Sequence, residues 1–466
     1  MPLDEFRELL GAVNVLTGTN AAPFLTDWRK RATGRALAVV RPRSTEEVAE
    51  VVKICARTQI AIVPQGGNTG QVAGATPDES GRAIVLSTHR LNRIREIDTL
   101  NDTITAEAGC ILEVLQNAAS DRGRLFPLSL GAKGSCTIGG NLSTNAGGTQ
   151  VLRYGNAREI ALGLEVVTPE GDIWNGLHGL RKDNTGYSLR DIYVGSEGTL
   201  GIITAVTCRL FPQAKAMRTA LIALNNLDNA LLFLELSRAE FDASLTAFEL
   251  ISGNCIDLVL QTFPEKRLPF EKGVPSWCVL IEISDYESEI HATERLETVL
   301  WRAFEIHLIL DAVLATSMKQ RDFFWSLRED ITLSLAESGF CIKHDISLPV
   351  SEMASFIHEA DITILNSFPN AKVMAFGHLG DGNIHYNILL PADINSEIIL
   401  KEKFIQEIIH DLVTASGGSI SAEQGIGLLR VEDLARYKDP VALALMGRLK
   451  RAFDPAGIMN PHKVLR

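Results

Sequence analysis

Residues 133–148 read KGSCTIGGNLSTNAGG, and the character of this stretch decides the fold. Six of its sixteen residues are Gly or Ala, and most of the others carry a hydroxyl or a carboxamide. Neither a core strand nor an amphipathic helix has that composition. Glycines let a backbone approach a ligand closely, and their bare N–H groups suit phosphate oxygens. The stretch is therefore expected to form one wall of a site for a large phosphate-bearing cofactor. A second glycine loop, Pro64-Gln65-Gly66-Gly67-Asn68-Thr69-Gly70, lies about seventy residues earlier. Two such walls make a plain surface turn the poorer reading of either.

The 466-residue chain is too long for one ordinary core, so two or more domains are expected. With 46% hydrophobic and 22% charged residues, it has the composition of a folded globular protein. A formal net charge of −12 without a dense basic cluster argues against nucleic acid or an anionic membrane surface as partner. The cysteines (Cys55, Cys110, Cys136, Cys208, Cys255, Cys278 and Cys341) stand singly, which suits a reducing compartment. The N-terminus begins with two acids and has neither a signal-peptide nor a transit-peptide pattern, and no apolar run reaches membrane-spanning length. A cytoplasmic location is expected, with no membrane insertion.

Taken in order, residues 3–16 predict a leading helix and 37–40 a strand. Ser44 and Glu47 have the spacing of a capping box at the start of the next helix. Strands are expected at 60–63 and 83–86. This βαβ-like opening lacks the dinucleotide fingerprint, because GGNTG is not GxGxxG and turn-rich sequence follows it. A strand at 163–168 precedes Gly195-Ser196-Glu197-Gly198-Thr199-Leu200-Gly201-Ile202-Ile203-Thr204, and the glycine-rich character ends near Phe211-Pro212. Beyond it the texture changes. Helices are predicted at 227–240, 287–304, 320–338 and 440–453, and strands at 276–283, 373–376 and 384–390.

PQGGNTG, the GGN-STNAGG wall, GSEGTLGIIT and the terminal FDPAGIMNP, in this order, resemble FAD-linked oxidoreductases of the vanillyl-alcohol oxidase/p-cresol methylhydroxylase (PCMH) type. Among these the chain is most similar to D-2-hydroxyglutarate dehydrogenases, with D-lactate dehydrogenases nearby, and the resemblance spans 36–466. It implies an α+β fold. A helical segment (1–35) would precede a two-part PCMH-type FAD domain (36–213), built from two small α/β halves with the flavin between them. An α+β substrate domain with an antiparallel sheet (214–420) and a C-terminal segment returning to the flavin (421–466) would follow. Pro64, Gly66, Gly67, Asn68, Thr69 and Gly70 would line the pyrophosphate. Ser135, Thr137, Gly139, Gly140, Ser143, Asn145 and Gly148 would form the opposite wall, with Glu197, Gly201, Ile203 and Asn460 completing the site. Some relatives attach the flavin to a histidine in the first loop; this loop has no His or Cys, so non-covalent FAD is expected.

The segment His378-Leu379-Gly380-Asp381-Gly382-Asn383-Ile384-His385 sets two histidines around strong turn chemistry. On one straight strand they would face opposite sides, whereas a hairpin brings the rings together. Such a pair suits a divalent metal with a third, carboxylate ligand, expected from the polar, glycine-rich 421–427. Asn387 would share the face of His385. The resemblance assigns the metal to His378, His385 and Glu423. Zinc is the expected ion, although mixed N/O ligands do not separate it from manganese or iron.

The resemblance also assigns the substrate to Arg328, Thr332 and Lys343, cations and a hydroxyl suited to a dicarboxylate. Arg328 and Thr332 are four apart on one helix face, and Lys343 lies on the following strand. Relatives carry a histidine base after the metal-binding glutamate; here that residue is Gln424. A carboxamide cannot take a proton at neutral pH, and losing a general base typically costs about 10²–10⁴-fold. A weakened site, a metal-bound hydroxide as base, and a different substrate all remain open. His344 would face away from Lys343 and is not the expected substitute.

The implied reaction is FAD-dependent oxidation of a D-2-hydroxy acid, D-2-hydroxyglutarate first, by metal-assisted alkoxide formation and hydride transfer to flavin N5. A D-lactate or D-malate dehydrogenase is the rival within the class, and a catalytically impaired flavoprotein the rival outside it. The resemblance implies an electron-transfer flavoprotein or a quinone-linked carrier as acceptor. Oligomeric state stays open, a homodimer being one option.

Overall fold

The computed structural model describes residues 2–391 and 398–466, so Met1 and 392–397 of the expected domains lie outside the described residues. The chain divides into two compact units. Unit 1 comprises Met1–Gly148, Tyr154–Gln213 and Glu423–Arg466; unit 2 comprises Thr149–Arg153 and Ala214–Ala422.

Among the described residues, the first half of unit 1 is a four-stranded sheet in the order Val15–Leu16, Ala38–Val40, Ala83–Ser87, Ala61–Gln65. The last three strands run parallel, as the βαβ reading expects. Val48, Val51, Val52 and Cys55 recur at helical spacing along Thr45–Thr58 and bury in one core with Ile62, Ile84 and Leu86. The cap of this helix differs by one residue from a capping box. Ser44 accepts from Glu47 N–H at 3.2 Å, but the Glu47 carboxylate turns back to Arg43 N–H at 2.8 Å. Phe6, Leu10 and Val15 join the same core. The leading helix is only Pro2–Leu10, with Gly11 following, and Val15–Leu16 then pairs with the sheet.

The second half is an antiparallel five-stranded sheet, in the order Ile94–Asp98, Thr103–Glu107, Ile202–Arg209, Ala161–Val167, Ile173–Gly176. It is thus not the second α/β half that was expected. Its core contains Ile138 and Leu142, four residues apart, and this corrects the reading of 133–148 as helix-free. Ile138–Ser143 is a short helix whose two apolar side chains share the buried face. The surrounding glycines mask that pattern in the sequence.

The C-terminal segment folds into unit 1. The helix Pro440–Phe453 has the predicted bounds, and its Leu449 and Phe453 pack on the second core. The FDPAGIMNP motif is a turn closed by Asp454, whose carboxylate accepts from Ile458 N–H and Met459 N–H at 3.1 and 2.9 Å. Met459 bridges Ile62, and Asn460 N–H donates to Ile62 O at 2.8 Å, seating the motif beside the strand that leads into Gly66.

Among the described residues, unit 2 is built on an eight-stranded sheet in which every pairing is antiparallel. Its central order runs Ala216–Leu224, Trp277–Asp285, Leu245–Ser252, Lys372–His378, Asn383–Leu390. The helices Gly253–Thr262 and Met318–Glu337 cover one face, through Ile256, Val259, Phe324, Leu327, Ile331 and Leu335. Two buried glutamates tie the long helix to the sheet: Glu282 accepts from Trp325 Nε1 at 3.0 Å and Glu249 from Arg328 Nε at 2.8 Å.

The two glycine loops of unit 1 meet without room for a side chain. A Cβ on Gly67 would lie 2.0 Å from Ser135 O, and one on Gly66 2.3 Å from Thr137 Oγ1. Gly67→Ala is therefore expected to lower unfolding stability by about 1–3 kcal/mol. Gly70→Ala, where nothing lies within 4 Å, should stay within about 0.5 kcal/mol. Urea unfolding of both variants checks this; equal effects would contradict the steric account.

Candidate active site

In unit 1, Gly66 and Gly67 of the first loop meet Ser135, Thr137 and Gly140 of the second, whereas Asn145, Gly201 and Ile203 have other neighbours. Asn68 holds a positive φ of 52° and donates from Nδ2 to Thr26 O at 2.9 Å, which fixes the loop after the strand Ala61–Gln65. Gly139 N–H donates to Ala108 O, Ser143 Oγ to Gly139 O at 2.7 Å, and Glu197 N–H to Ser143 O at 2.8 Å. Asn145 Oδ1 accepts from Arg158 N–H at 2.9 Å. Gly201 packs against Tyr193, Pro64 lies under Gly198, and the Ile203 side chain sits in the second core.

Glu197 is buried at a positive φ of 52° and organises the C-terminal segment. Its two oxygens accept from Ile426 N–H and Gly427 N–H at 2.8 and 2.7 Å. Its carbonyl accepts from Asn460 Nδ2 at 2.8 Å, and the same amide reaches Gly74 O at 2.9 Å. Burial raises the Glu197 carboxyl above its ordinary range, opposed by these backbone donors. Glu423, expected as a metal ligand, accepts from Gly148 N–H at 2.6 Å through Oε1.

These residues fit a dinucleotide cofactor. The two loops pack with no room for a Cβ at Gly66 or Gly67, and Thr137 Oγ1 and Asn460 Oδ1 are buried without a hydrogen-bond partner among the described residues. Buried polar groups are ordinarily satisfied, so such atoms mark where a ligand's own donors and acceptors belong.

In unit 2 the two histidines meet as the hairpin reading expects. Lys372–His378 and Asn383–Leu390 are joined by a 3₁₀ turn, Leu379–Asp381. Gly382 completes it at φ 82°, where a Cβ would lie 2.3 Å from Leu348 O. The imidazole centroids of His378 and His385 are 5.8 Å apart and nearly perpendicular. His378 Nδ1 lies 2.5 Å from Glu249 Oε1, the residue directly opposite on the neighbouring strand. His385 Nδ1 lies 3.6 Å from Asp345 Oδ1, which also accepts from Asn383 Nδ2 at 3.0 Å.

Charge is concentrated here despite burial. Burial alone would raise the Glu249 carboxyl, but His378 and Arg328 outweigh it and hold the group well below the usual carboxylate range. Burial lowers His385, with Asp345 opposing, so its imidazole is neutral at pH 7. Burial pushes Asp381 up to about 6. Two imidazoles with carboxylates behind them, Glu249 at His378 and Asp345 at His385, are the donor chemistry of a divalent metal site, so this pair fits one.

The predicted substrate residues are distributed unevenly. Arg328 is buried, with its guanidinium 4.6 Å from the Phe376 ring, and is not on a solvated face. Thr332, one turn on, is exposed. Lys343 lies in the break between the strands Phe340–Ile342 and Asp345–Ser347 rather than on a strand. Asn387 closes that break, its Oδ1 accepting from His344 N–H at 3.1 Å. His344 is buried with Nδ1 2.8 Å from Tyr386 O, in the same break as Lys343 and not on a strand facing away from it. Glu249 and Asp345 are the residues that sequence reasoning missed. A lone glutamate in the apolar run LTAFELIS was the available signal for the first.

The description "FAD binding domain" matches residues 36–176, and "FAD linked oxidases, C-terminal domain" matches residues 213–464. Among solved structures, p-cresol methylhydroxylase superposes with a TM-score of 0.77 at 17% identity, covering 99% of this chain and 96% of that one. Alkyldihydroxyacetonephosphate synthase superposes with a TM-score of 0.76 at 18% identity, covering 98% and 84%. The fold is thus the two-part PCMH type, of α+β class, and the protein is an FAD-dependent oxidoreductase.

Similarity to curated sequences narrows this. "D-2-hydroxyglutarate dehydrogenase, mitochondrial" of Arabidopsis thaliana is 37% identical over 463 residues, 99% of this chain and 80% of that protein. The Rattus norvegicus protein of the same name is 38% identical over 446 residues, 94% and 80%. A D-2-hydroxyglutarate–pyruvate transhydrogenase of Saccharomyces cerevisiae is 32% identical over 473 residues, 99% and 93%. The chain belongs to the D-2-hydroxyglutarate dehydrogenase family. The expected cytoplasmic location does not stand, because the plant and animal relatives are named as mitochondrial. No described helix is long and apolar enough to cross a membrane.

Glu197→Ala should leave the buried Gly427 N–H and the half-buried Ile426 N–H without an acceptor, at about 1–3 kcal/mol for the buried one. Urea unfolding together with limited trypsin cleavage at Arg430 checks this. The midpoint should fall and cleavage should accelerate; an unchanged midpoint would contradict the role assigned to Glu197.

Proposed function

We propose that this chain oxidises D-2-hydroxyglutarate to 2-oxoglutarate, using non-covalent FAD and a divalent metal, zinc first, held by His378, His385 and Glu423. The observation that carries the reading is the shared position of Phe376. Its ring lies 5.1 Å from the His385 imidazole and 4.6 Å from the Arg328 guanidinium. A metal-binding imidazole and a carboxylate-binding cation therefore stand beside one side chain. Ala422 supports the third ligand by connectivity: its N–H donates to Asp345 O at 3.1 Å, Asp345 partners His385, and Glu423 is the next residue.

When bound, FAD supplies a two-electron acceptor and the divalent ion supplies Lewis acidity toward the substrate hydroxyl. The residues assigned to FAD are the first loop (Pro64, Gly66, Gly67, Asn68, Thr69 and Gly70) and the facing wall from Ser135 to Gly148. Thr137 and Asn460, far apart in the chain, both present a buried polar atom without a hydrogen-bond partner among the described residues. Arg328 fixes one carboxylate of the substrate with its planar fork, and Lys343 adds a second cation. Two cations suit a dicarboxylate better than lactate. Thr332 lies at the exposed end of this set, and Asn387 holds the backbone next to Lys343. An electron-transfer flavoprotein or a quinone-linked carrier would reoxidise the enzyme.

Gln424 favours a second reading. It can hydrogen-bond the substrate hydroxyl but cannot accept its proton, so a flavoprotein that binds the acid and turns it over slowly is the alternative. Steady-state turnover of D-2-hydroxyglutarate, D-malate and D-lactate, in the wild type and in Gln424→His, decides between them. We expect kcat/KM to fall in that order, and Gln424→His to raise kcat by at least about tenfold. A preference for D-lactate would overturn the substrate assignment. An unchanged Gln424→His would overturn the account of the missing base.

A further inference from the structure

Glu249 lies in the strand Leu245–Ser252, where every residue is buried, and is itself 1% exposed. An apolar side chain would suit the position, and a buried carboxylate is costly unless its oxygens are fully matched. They are matched by two groups from different elements. Oε1 meets His378 Nδ1 at 2.5 Å on the neighbouring strand, and Oε2 meets Arg328 Nε at 2.8 Å on the covering helix.

The chemistry of these contacts is restrictive. An ionised carboxylate only accepts hydrogen bonds, so the proton of neutral His378 must sit on Nδ1. Nε2 is then the lone-pair nitrogen, the form required of an imidazole that ligates a metal through that atom. At Arg328, the bond from Nε and the Phe376 ring at 4.6 Å together fix the plane of the guanidinium, and with it the direction of the two Nη groups.

We propose that Glu249 is a positioning residue that sets the ligating face of His378 and the orientation of Arg328 at once, coupling metal binding to recognition of the substrate carboxylate. The inference rests on the ligand role of His378 and the substrate role of Arg328 given above. Neither oxygen can be replaced singly without effect. A carboxamide presents one acceptor and one donor, so Glu249→Gln can satisfy only one of its two neighbours. Glu249→Asp is one methylene shorter and cannot reach both.

The test compares wild type, Glu249→Gln, Glu249→Asp and Glu282→Gln as FAD-loaded proteins. Glu282 is the second buried glutamate under the same helix, bound to Trp325 Nε1 at 3.0 Å and Thr219 Oγ1 at 2.8 Å, and serves as a structural control. Zinc affinity is read by competition with a chromophoric chelator, and KM for D-2-hydroxyglutarate by steady-state turnover. Glu249→Gln should weaken zinc binding by about 10–100-fold and raise KM by a comparable factor. Glu249→Asp should fall between. Glu282→Gln should lower Tm while leaving zinc affinity and KM within about twofold, because its partners Trp325 and Thr219 are assigned neither to the metal nor to the substrate. Wild-type zinc affinity and KM in Glu249→Gln would overturn the proposal, as would Glu282→Gln reproducing its losses. Should wild type itself bind no zinc or oxidise no 2-hydroxy acid, the underlying reading fails and this inference with it. If Glu249→Gln does not fold, ¹⁵N-histidine NMR of the wild type decides, with His378 expected to be protonated on Nδ1. Protonation on Nε2 alone would overturn the proposal.

Discussion

At Gly66 and Gly67 one stretch of chain meets another with no room for a side chain, and unit 1 is arranged around that contact. A Cβ on Gly67 would fall 2.0 Å from Ser135 O. The constraint fixes the residue type at both loops and brings Thr137 Oγ1 against the first loop. The C-terminal motif then seats on the strand that feeds this loop, through Met459 beside Ile62 and Asn460 N–H to Ile62 O. Glu197 performs the same service from the second half, binding Ile426, Gly427 and Asn460. Three distant segments thus converge by backbone hydrogen bonds on one cradle. Hydrogen bonds of that kind rather than side-chain packing explain why the motifs are rich in Gly and Asn.

Unit 2 works by the opposite means, with buried charge rather than missing side chains. Its sheet carries Glu249 and Glu282 on interior strands, and each binds a group on the helix Met318–Glu337. An uncompensated carboxylate in such a position would cost several kcal/mol, so helix and sheet are fixed in register as a condition of folding. The hairpin with the two histidines is pinned to this frame, because His378 pairs with Glu249 and His385 with Phe376. The chemistry of the site is therefore an outgrowth of the way the core pays for its charges.

Much of this was legible in the sequence where the signal is local. The helix Pro440–Phe453, the strand Ala83–Ser87 and the turn between His378 and His385 follow from spacing and turn residues within a few positions. The histidine pair needed only the observation that an eight-residue segment with a GDGN centre does not remain extended. What was missed depends on partners far along the chain. Glu249 and His378 are 129 residues apart, and Glu423 and Gly148 are 275 apart, so neither contact leaves a mark in spacing. The helix that carries Arg328 has charges on several faces, and only the strand beneath reveals that this one is buried. The short helix Ile138–Ser143 was hidden because two apolar residues among glycines make too small a pattern.

The account's central claim is that FAD and a divalent metal act together on a D-2-hydroxy acid. The most direct measurement is anaerobic reduction of the bound flavin, followed by its absorbance on adding D-2-hydroxyglutarate. It is made on metal-loaded protein, on chelator-stripped protein that retains its FAD, and after zinc is restored. The account predicts bleaching in the first sample, its loss in the second and its return in the third. Bleaching that is undiminished by stripping, or absent from the metal-loaded protein, would contradict it.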